Sequence, residues 1–253
     1  MRDLKLPTSL FGVGIYTIPE ASRISGISES RVRRWILGYN FRRGDVIRSS
    51  PPVVKSKPST TEDRIALTFR DLIEVLCIHG FLRAGVRWPI LRDAHNRATD
   101  LLRVEHPFAT QTFLTDGHSV LMKIGRRALL DVVRNQLAFA QIMRPFLKTD
   151  GIDFRSGFAE KWWPLGRPKL VVLDSARSFG QPIVATEGVA TATLYGGYLA
   201  ETHKKVSDGK LVQPEAPKIA ELDEEVVKSV SDWLQVERRS VRAAVKYETR
   251  LAA

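Results

Sequence analysis

Cysteine is almost missing from this chain of 253 residues: Cys77 stands alone, inside the apolar run Leu72–Ile78. One thiol cannot close an internal disulfide, and its apolar neighbours predict a buried, unreactive side chain. A reducing compartment, the cytoplasm, is the expected setting. Long hydrophobic runs are missing too. Nothing approaches the roughly 18 uninterrupted apolar residues of a membrane helix, and the stretch Leu10–Val13 is too short for a secretory leader, with Pro7 just before it. No membrane partner is expected.

The residues of common catalytic centres are also sparse. The five histidines (His79, His95, His106, His118 and His203) are scattered, with no cysteine pair and no H-E-x-x-H spacing. Gly12-Val13-Gly14 lacks the third glycine and the preceding strand of a dinucleotide loop, and neither a phosphate-binding G-x-x-x-x-G-K-[ST] nor a G-x-S-x-G elbow occurs. The pattern points away from an enzyme, a metal site and a cofactor.

What is present is charge of one sign. Lys and Arg number 39 against 28 Asp and Glu, a net +11. Residues 1–60 hold 11 basic and 4 acidic groups, so +7 of that excess lies in the first quarter. A localised excess suits a polyanionic partner, nucleic acid first. The hydrophobic fraction of 43% is ordinary for a globular protein, and the length suggests about two domains.

The densest local signal lies in Tyr16–Gly38. Thr17 can cap a first helix with Pro19 and Glu20 in its opening turn, and Gly26 ends it. Ser28 caps a second helix, Glu29–Leu37, that stops at Gly38. Val32, Trp35 and Ile36 form its apolar stripe at i, i+3, i+4, leaving Glu29, Ser30, Arg31, Arg33 and Arg34 to face outward. Tyr39–Ile47 reads as a strand pair around Arg43-Gly44-Asp45, with Arg42 and Arg43 placed beside a DNA backbone or minor groove. This is a winged helix-turn-helix pattern. Its arginines can grip guanine edges, and the N–H groups after Ser28 can meet a phosphate. Thr17, Ser28, Glu29, Ser30, Arg31, Arg33, Arg34, Tyr39, Arg42 and Arg43 are the candidate DNA contacts, with an arginine-covered solvated helix as the plainer reading.

Further on, Leu67–Ala84 and about Pro89–Val104 have helical spacing, and Pro107–Ile124 alternates around the hairpin dipeptide Asp116-Gly117. Arg126–Phe146 suits a short strand or helix, and Ile152–Trp163 and Leu170–Asp174 suit strands. Asp208-Gly209 and Pro214–Pro217 mark a flexible boundary. Two last helices follow, about Asp223–Leu234 and Arg238–Leu251, with Val226, Val230 and Trp233 in the stripe of the first. The expected fold is α+β, mainly α: a DNA-binding domain over 1–104, a middle α/β section with hairpins over 105–173, and a small helical module over 174–253.

Ile15–Ala21, Val32–Tyr39, Leu67–Glu74 and Arg83–Val86 together resemble a MerR-like winged helix-turn-helix. Trp162–Gly166, Val172–Asp174, Phe179–Val184 and Val241–Glu248 resemble the C-terminal module of VapB-type antitoxins. The resemblance spans nearly the whole chain. It implies a DNA-binding antitoxin that silences a PIN-domain ribonuclease toxin and represses its own operon. Its partners would be double-stranded operator DNA, the toxin, and further copies in a homodimer or larger homo-oligomer. A PIN nuclease holds Mg²⁺ with clustered carboxylates, where an inserted basic side chain would compete. Arg167, Lys204, Lys205 and Lys210 are the candidates, each also explicable as solvated loop charge. A stand-alone MerR-like regulator and a protein adaptor that never touches DNA remain the alternatives.

Overall fold

A computed structural model describes residues 14–54, 66–110, 113–115, 118–123, 128–134, 136–139, 151–167, 170–207 and 222–252. The chain is mixed α/β, with seven α-helices and several small antiparallel sheets among the described residues. It divides into two compact units, Ile15–Glu160 and a second formed mainly by Lys161–Ala253. None of the described helices is long and apolar enough to cross a membrane.

The first unit opens with β1 (Ile15–Tyr16), α1 (Ile18–Ser25) and α2 (Glu29–Leu37). Thr17 and Glu20 form a reciprocal capping box at α1, and Gly26 ends it at φ 70°. Ser28 stands at the N-cap of α2 but makes no side-chain cap bond; its hydroxyl lies 3.4 Å from Ser30 Oγ instead. Strands β2 (Tyr39–Arg43) and β3 (Val46–Ser50) follow as an antiparallel hairpin. Then β4 (Leu67–Thr68) pairs with β1 and leads into α3 (Phe69–Arg83), capped by a second box from Thr68 and Asp71. Helix α4 (Trp88–Leu102) closes this set.

Four short strands continue the unit in meander order: β5 (Phe113–Thr115), β6 (Val120–Lys123), β7 (Ala128–Asp131) and β8 (Gln136–Phe139). The region expected to hold one strand or helix thus supplies two strands. The predicted turn at Asp116-Gly117 lies outside the described residues. Strands β9 (Ile152–Arg155) and β10 (Phe158–Trp162) interrupt the single strand expected over Ile152–Trp163. Ser156 and Gly157, both at positive φ, turn the chain between them.

The core of this unit is aromatic. Phe108 stands edge-on to Phe113 at 4.8 Å and to His95 at 5.2 Å, with Phe81 tilted at 5.3 Å. Cys77 is fully buried and its thiol points at Phe108 O, 3.6 Å away. Two histidine–carboxylate pairs, one buried and one half-buried, brace α3. His95 Nε2 lies 2.8 Å from Glu74 Oε2, and His106 Nε2 lies 2.8 Å from Asp71 Oδ1. Glu74 Oε1 also accepts from the backbone N–H groups of Phe108 and Ala109.

In the second unit, Lys161 and Trp162 of β10 pair with Asp174 and Leu173 of β11 (Val171–Asp174), which pairs in turn with β12 (Pro182–Val184). Helices α5 (Thr191–Ser207), α6 (Glu224–Leu234) and α7 (Arg238–Ala252) pack together over Leu194, Tyr198, Val226, Val230, Val241 and Val245. The two last helices match the sequence expectation, and α5 was not foreseen. Trp233, assigned to the core stripe, is 70% exposed. The expected boundary around Asp208-Gly209 and Pro214–Pro217 lies outside the described residues.

Candidate functional site

Helix α2 owes its seat to one apolar stripe. Val32, Trp35 and Ile36 are buried, and Trp35 stacks on Trp88 of α4 at 6.3 Å with a 23° interplanar angle. Its backbone carbonyl accepts from Val53 N and Val54 N, which pins the chain leaving the hairpin beneath the helix. With the stripe fixed, helical geometry turns Ser30, Arg34 and Leu37 outward, and sets Arg31 and Arg33 on opposite flanks, with Glu29 nearer the buried stripe. Glu29, Ser30, Arg31, Arg33 and Arg34 are all exposed. Thr17 is exposed as well, but its side chain is engaged in the α1 capping box.

The hairpin is held at its base. Arg92 of α4 donates to Ser50 Oγ at 2.6 Å and to Pro51 O at 3.1 Å. Gly38 enters it at φ 74°, and a Cβ there would stand 2.5 Å from Ser50 O, so no side chain fits. The register pairs Phe41 with Arg48, Arg42 with Ile47 and Arg43 with Val46. Side chains alternate across a strand. Tyr39, Phe41, Arg43 and Arg48 therefore share one face, and Arg42 shares the other with Ile47. The Arg34 guanidinium lies over the Tyr39 ring, 5.3 Å from its centroid, and Tyr39 meets Phe41 at 5.9 Å. Cationic and aromatic groups, exposed except for the half-buried Tyr39, thus run from Arg34 of α2 onto one hairpin face.

The structure brings Arg34, Tyr39 and Arg43 to one side, with Ser30 one turn before Arg34 on α2, and sets Arg33 on the flank opposite Arg31 and Arg42 on the other hairpin face. Arg48 joins the group although the sequence reading passed over it. Its spacing of two from Val46 on a strand was the available signal. Among the described residues, Arg31, Arg33, Arg34, Arg43 and Arg48 have no carboxylate within ion-pair distance. This surface can offer several guanidinium groups to closely spaced anions.

The basic residues proposed for a protein partner fall elsewhere. Lys204 and Lys205 lie in the last turn of α5, not in a loop. Lys204 is exposed, whereas Lys205 bridges Asp223 at 2.9 Å and Glu225 at 2.7 Å, tying α5 to the start of α6. Arg167 is exposed with its guanidinium over the Trp163 ring. Lys210 lies outside the described residues. Among the described residues, no group of three or more His, Cys, Asp or Glu is arranged to hold a metal ion.

No family model matches the chain. It is similar to the protein named "Putative antitoxin VapB45" of Mycobacterium tuberculosis, 26% identical over 219 residues that cover 81% of this chain and 91% of that protein. Among solved structures it is similar to the crystal structure of Rv2018 from Mycobacterium tuberculosis. That match has a TM-score of 0.53 at 21% identity and covers 90% of this chain and 96% of the other. At that identity the structural likeness speaks for the fold alone.

Proposed function

We propose that the chain is the antitoxin of a toxin–antitoxin pair and that its first unit binds DNA through α2 and the β2–β3 hairpin, as a winged helix-turn-helix of MerR-like kind. The observation that carries the DNA reading is the set of exposed arginines without a carboxylate partner, Arg33 and Arg34 on α2 with Arg43 and Arg48 on the hairpin, on elements held by Trp35, Gly38 and Arg92. In this reading α2 enters the major groove by its N-terminal turns, where Ser30 and Arg33 meet base edges. Arg34, Arg43 and Arg48 contact phosphate, and the hairpin lies along the backbone. The likeness to a named antitoxin supports the wider role: silencing a toxin, for which a PIN-domain ribonuclease is the proposed class, and repressing the shared operon as a dimer or larger homo-oligomer.

The DNA half is tested on the chain's own upstream region by titrations over a range of salt concentrations. Arg33→Ala should weaken binding to that site by ~10-fold or more relative to unrelated DNA. Arg43→Ala should weaken both alike and lower the slope of log K against log salt by about 1. Arg42→Ala should do less than Arg43→Ala. A wild-type slope near zero, or unchanged binding in the Arg33 and Arg43 variants, removes this assignment. The antitoxin half is tested by co-expression with the product of the adjacent gene. If no neighbouring gene product inhibits growth in a way this chain relieves, the role is wrong.

A further inference from the structure

Behind the exposed arginines, the junction of α2, α3 and α4 leaves an open pocket of about 310 Å³. Its walls are cationic and aromatic. Arg31, Arg34 and Arg83 converge on it, the indoles of Trp35 and Trp88 form a near-parallel stack along one side, and His79 tilts against Trp35 at 6.3 Å. No Asp or Glu lines it, and among the described residues none forms an ion pair with any of the three arginines. Trp88 Nε1 is buried with no hydrogen-bond partner. Burial lowers the pKa of His79, and the positive field of Arg31 and Arg83 lowers it further.

Such a set of groups is costly to hold empty. Three guanidinium groups gathered around one space repel one another. An anion bearing a flat ring suits such walls. Its charged end neutralises the arginines in charge-assisted bonds, and its ring lies against the exposed indole edge of the wall. The volume is at the small end for ligand sites, enough for one ring system and its anionic group.

We propose that this pocket binds a small aromatic anion, an aromatic carboxylate or aromatic phosphate, and that its occupant competes with DNA by drawing Arg31 and Arg34 inward. The binding site stands on its own geometry, whereas the competition rests on the DNA reading given above.

The two parts are measured separately with the full chain. Benzoate and indole-3-acetate serve as aromatic carboxylates, phenyl phosphate and 5′-AMP as aromatic phosphates, and inorganic phosphate and adenosine as probes carrying one feature each. Binding is followed by calorimetry without DNA. At least one aromatic anion should saturate at sub-millimolar concentration, with the single-feature probes weaker by ~10-fold or more. Whichever class binds tighter identifies the anionic group. Arg83→Ala lies outside the DNA-contacting set and is exposed, so it should fold with an unchanged melting temperature yet lose ~10-fold or more in ligand affinity. Trp88→Phe should also weaken binding and leave a smaller change in tryptophan fluorescence. No saturable binding up to about 10 mM by either class, or an unchanged Kd in Arg83→Ala, overturns the site. In the second measurement, saturating ligand should weaken DNA binding by wild-type protein several-fold and leave Arg83→Ala unaffected. Ligand binding without that effect overturns the competition alone.

Discussion

Replacing Glu74 by Ala should be among the most damaging single changes in the first unit. Its carboxylate is fully buried and serves three donors: Phe108 N at 2.7 Å, Ala109 N at 3.3 Å and His95 Nε2 at 2.8 Å. Removing it leaves two backbone N–H groups and an imidazole N–H without an acceptor, and each orphaned donor costs about 1–3 kcal/mol. Some repacking around Phe108 offsets part of this, so the expected loss is about 3–5 kcal/mol, comparable with breaking a buried ion pair. Glu74→Gln keeps an acceptor for Phe108 but turns an amide N–H₂ toward His95 Nε2. That forces the imidazole proton onto Nδ1, which has no partner of its own, at a cost of about 1–2 kcal/mol. Glu74→Met combined with His95→Phe removes the imidazole donor together with its acceptor and should recover about a third of the loss, because the backbone N–H groups of Phe108 and Ala109 stay unserved. Urea unfolding followed by circular dichroism gives all three values. An Ala variant within about 1 kcal/mol of wild type, or a double variant worse than the sum of its singles, would refute the reasoning.

Burial disfavours protonation of His106, but its hydrogen bond to Asp71 and the charges of Asp71 and Glu74 outweigh burial and the opposing Arg70, raising its pKa above 6.5. The stabilisation is therefore complete below the unfolded value of about 6.5 and lost as pH rises through the folded one, so the melting temperature should fall across neutral and mildly alkaline pH in wild type but not in His106→Gln. The matching Asp71 contribution holds above 3.8 and fades as pH drops through its lowered folded value, because the bonds from His106 and Thr68 outweigh burial. Gly38→Ala should cost about 2 kcal/mol or more in stability, since its φ of 74° and the approach of Ser50 O both reject a Cβ; an unchanged urea midpoint would show that the hairpin entry adapts freely.

Local chemistry made the first fifty residues readable. Thr17, Pro19, Gly26 and Gly38 punctuate α1 and α2 without help from tertiary contacts, and Val32, Trp35 and Ile36 name the buried face. Helix α5 carries Gly196 and Gly197 in its middle, which lower its intrinsic helix propensity and leave its formation to packing. In the folded unit Gly197 admits Val230: a Cβ there would lie 3.4 Å from Val230 Cγ1. Trp233 was misplaced for a related reason. The α6 stripe turns through Val227, Val230, Ser231 and Leu234 toward α5, which leaves the indole at its margin. Helix α4 ends on Arg103 at φ 54° and α6 on Gln235 at φ 52°, positions where no glycine announces the stop. The aromatic pocket was illegible because His79, Arg83 and Trp88 lie far along the chain from Arg31 and meet it only through the α2–α4 stack.

The two ends of the chain use the same residue types to opposite effect. In the second unit, several basic side chains are paired with neighbouring carboxylates. Lys205 bridges Asp223 and Glu225, Arg242 binds Glu224 with its Nε 2.9 Å from Oε1, and Arg239 pairs with Glu237. These pairs fasten α5, α6 and α7 and leave little net field, in keeping with the near-balance of charge there. In the first unit, Arg33, Arg43 and Arg48 stand on α2 and the hairpin without carboxylates, so their field extends into solvent. Paired surface charge contributes about 0–1 kcal/mol each and recruits no polyanion. An unpaired set of guanidinium groups destabilises its own surface slightly and is relieved when phosphate arrives. In the reading proposed above, DNA affinity should therefore reside in the first unit and depend on salt.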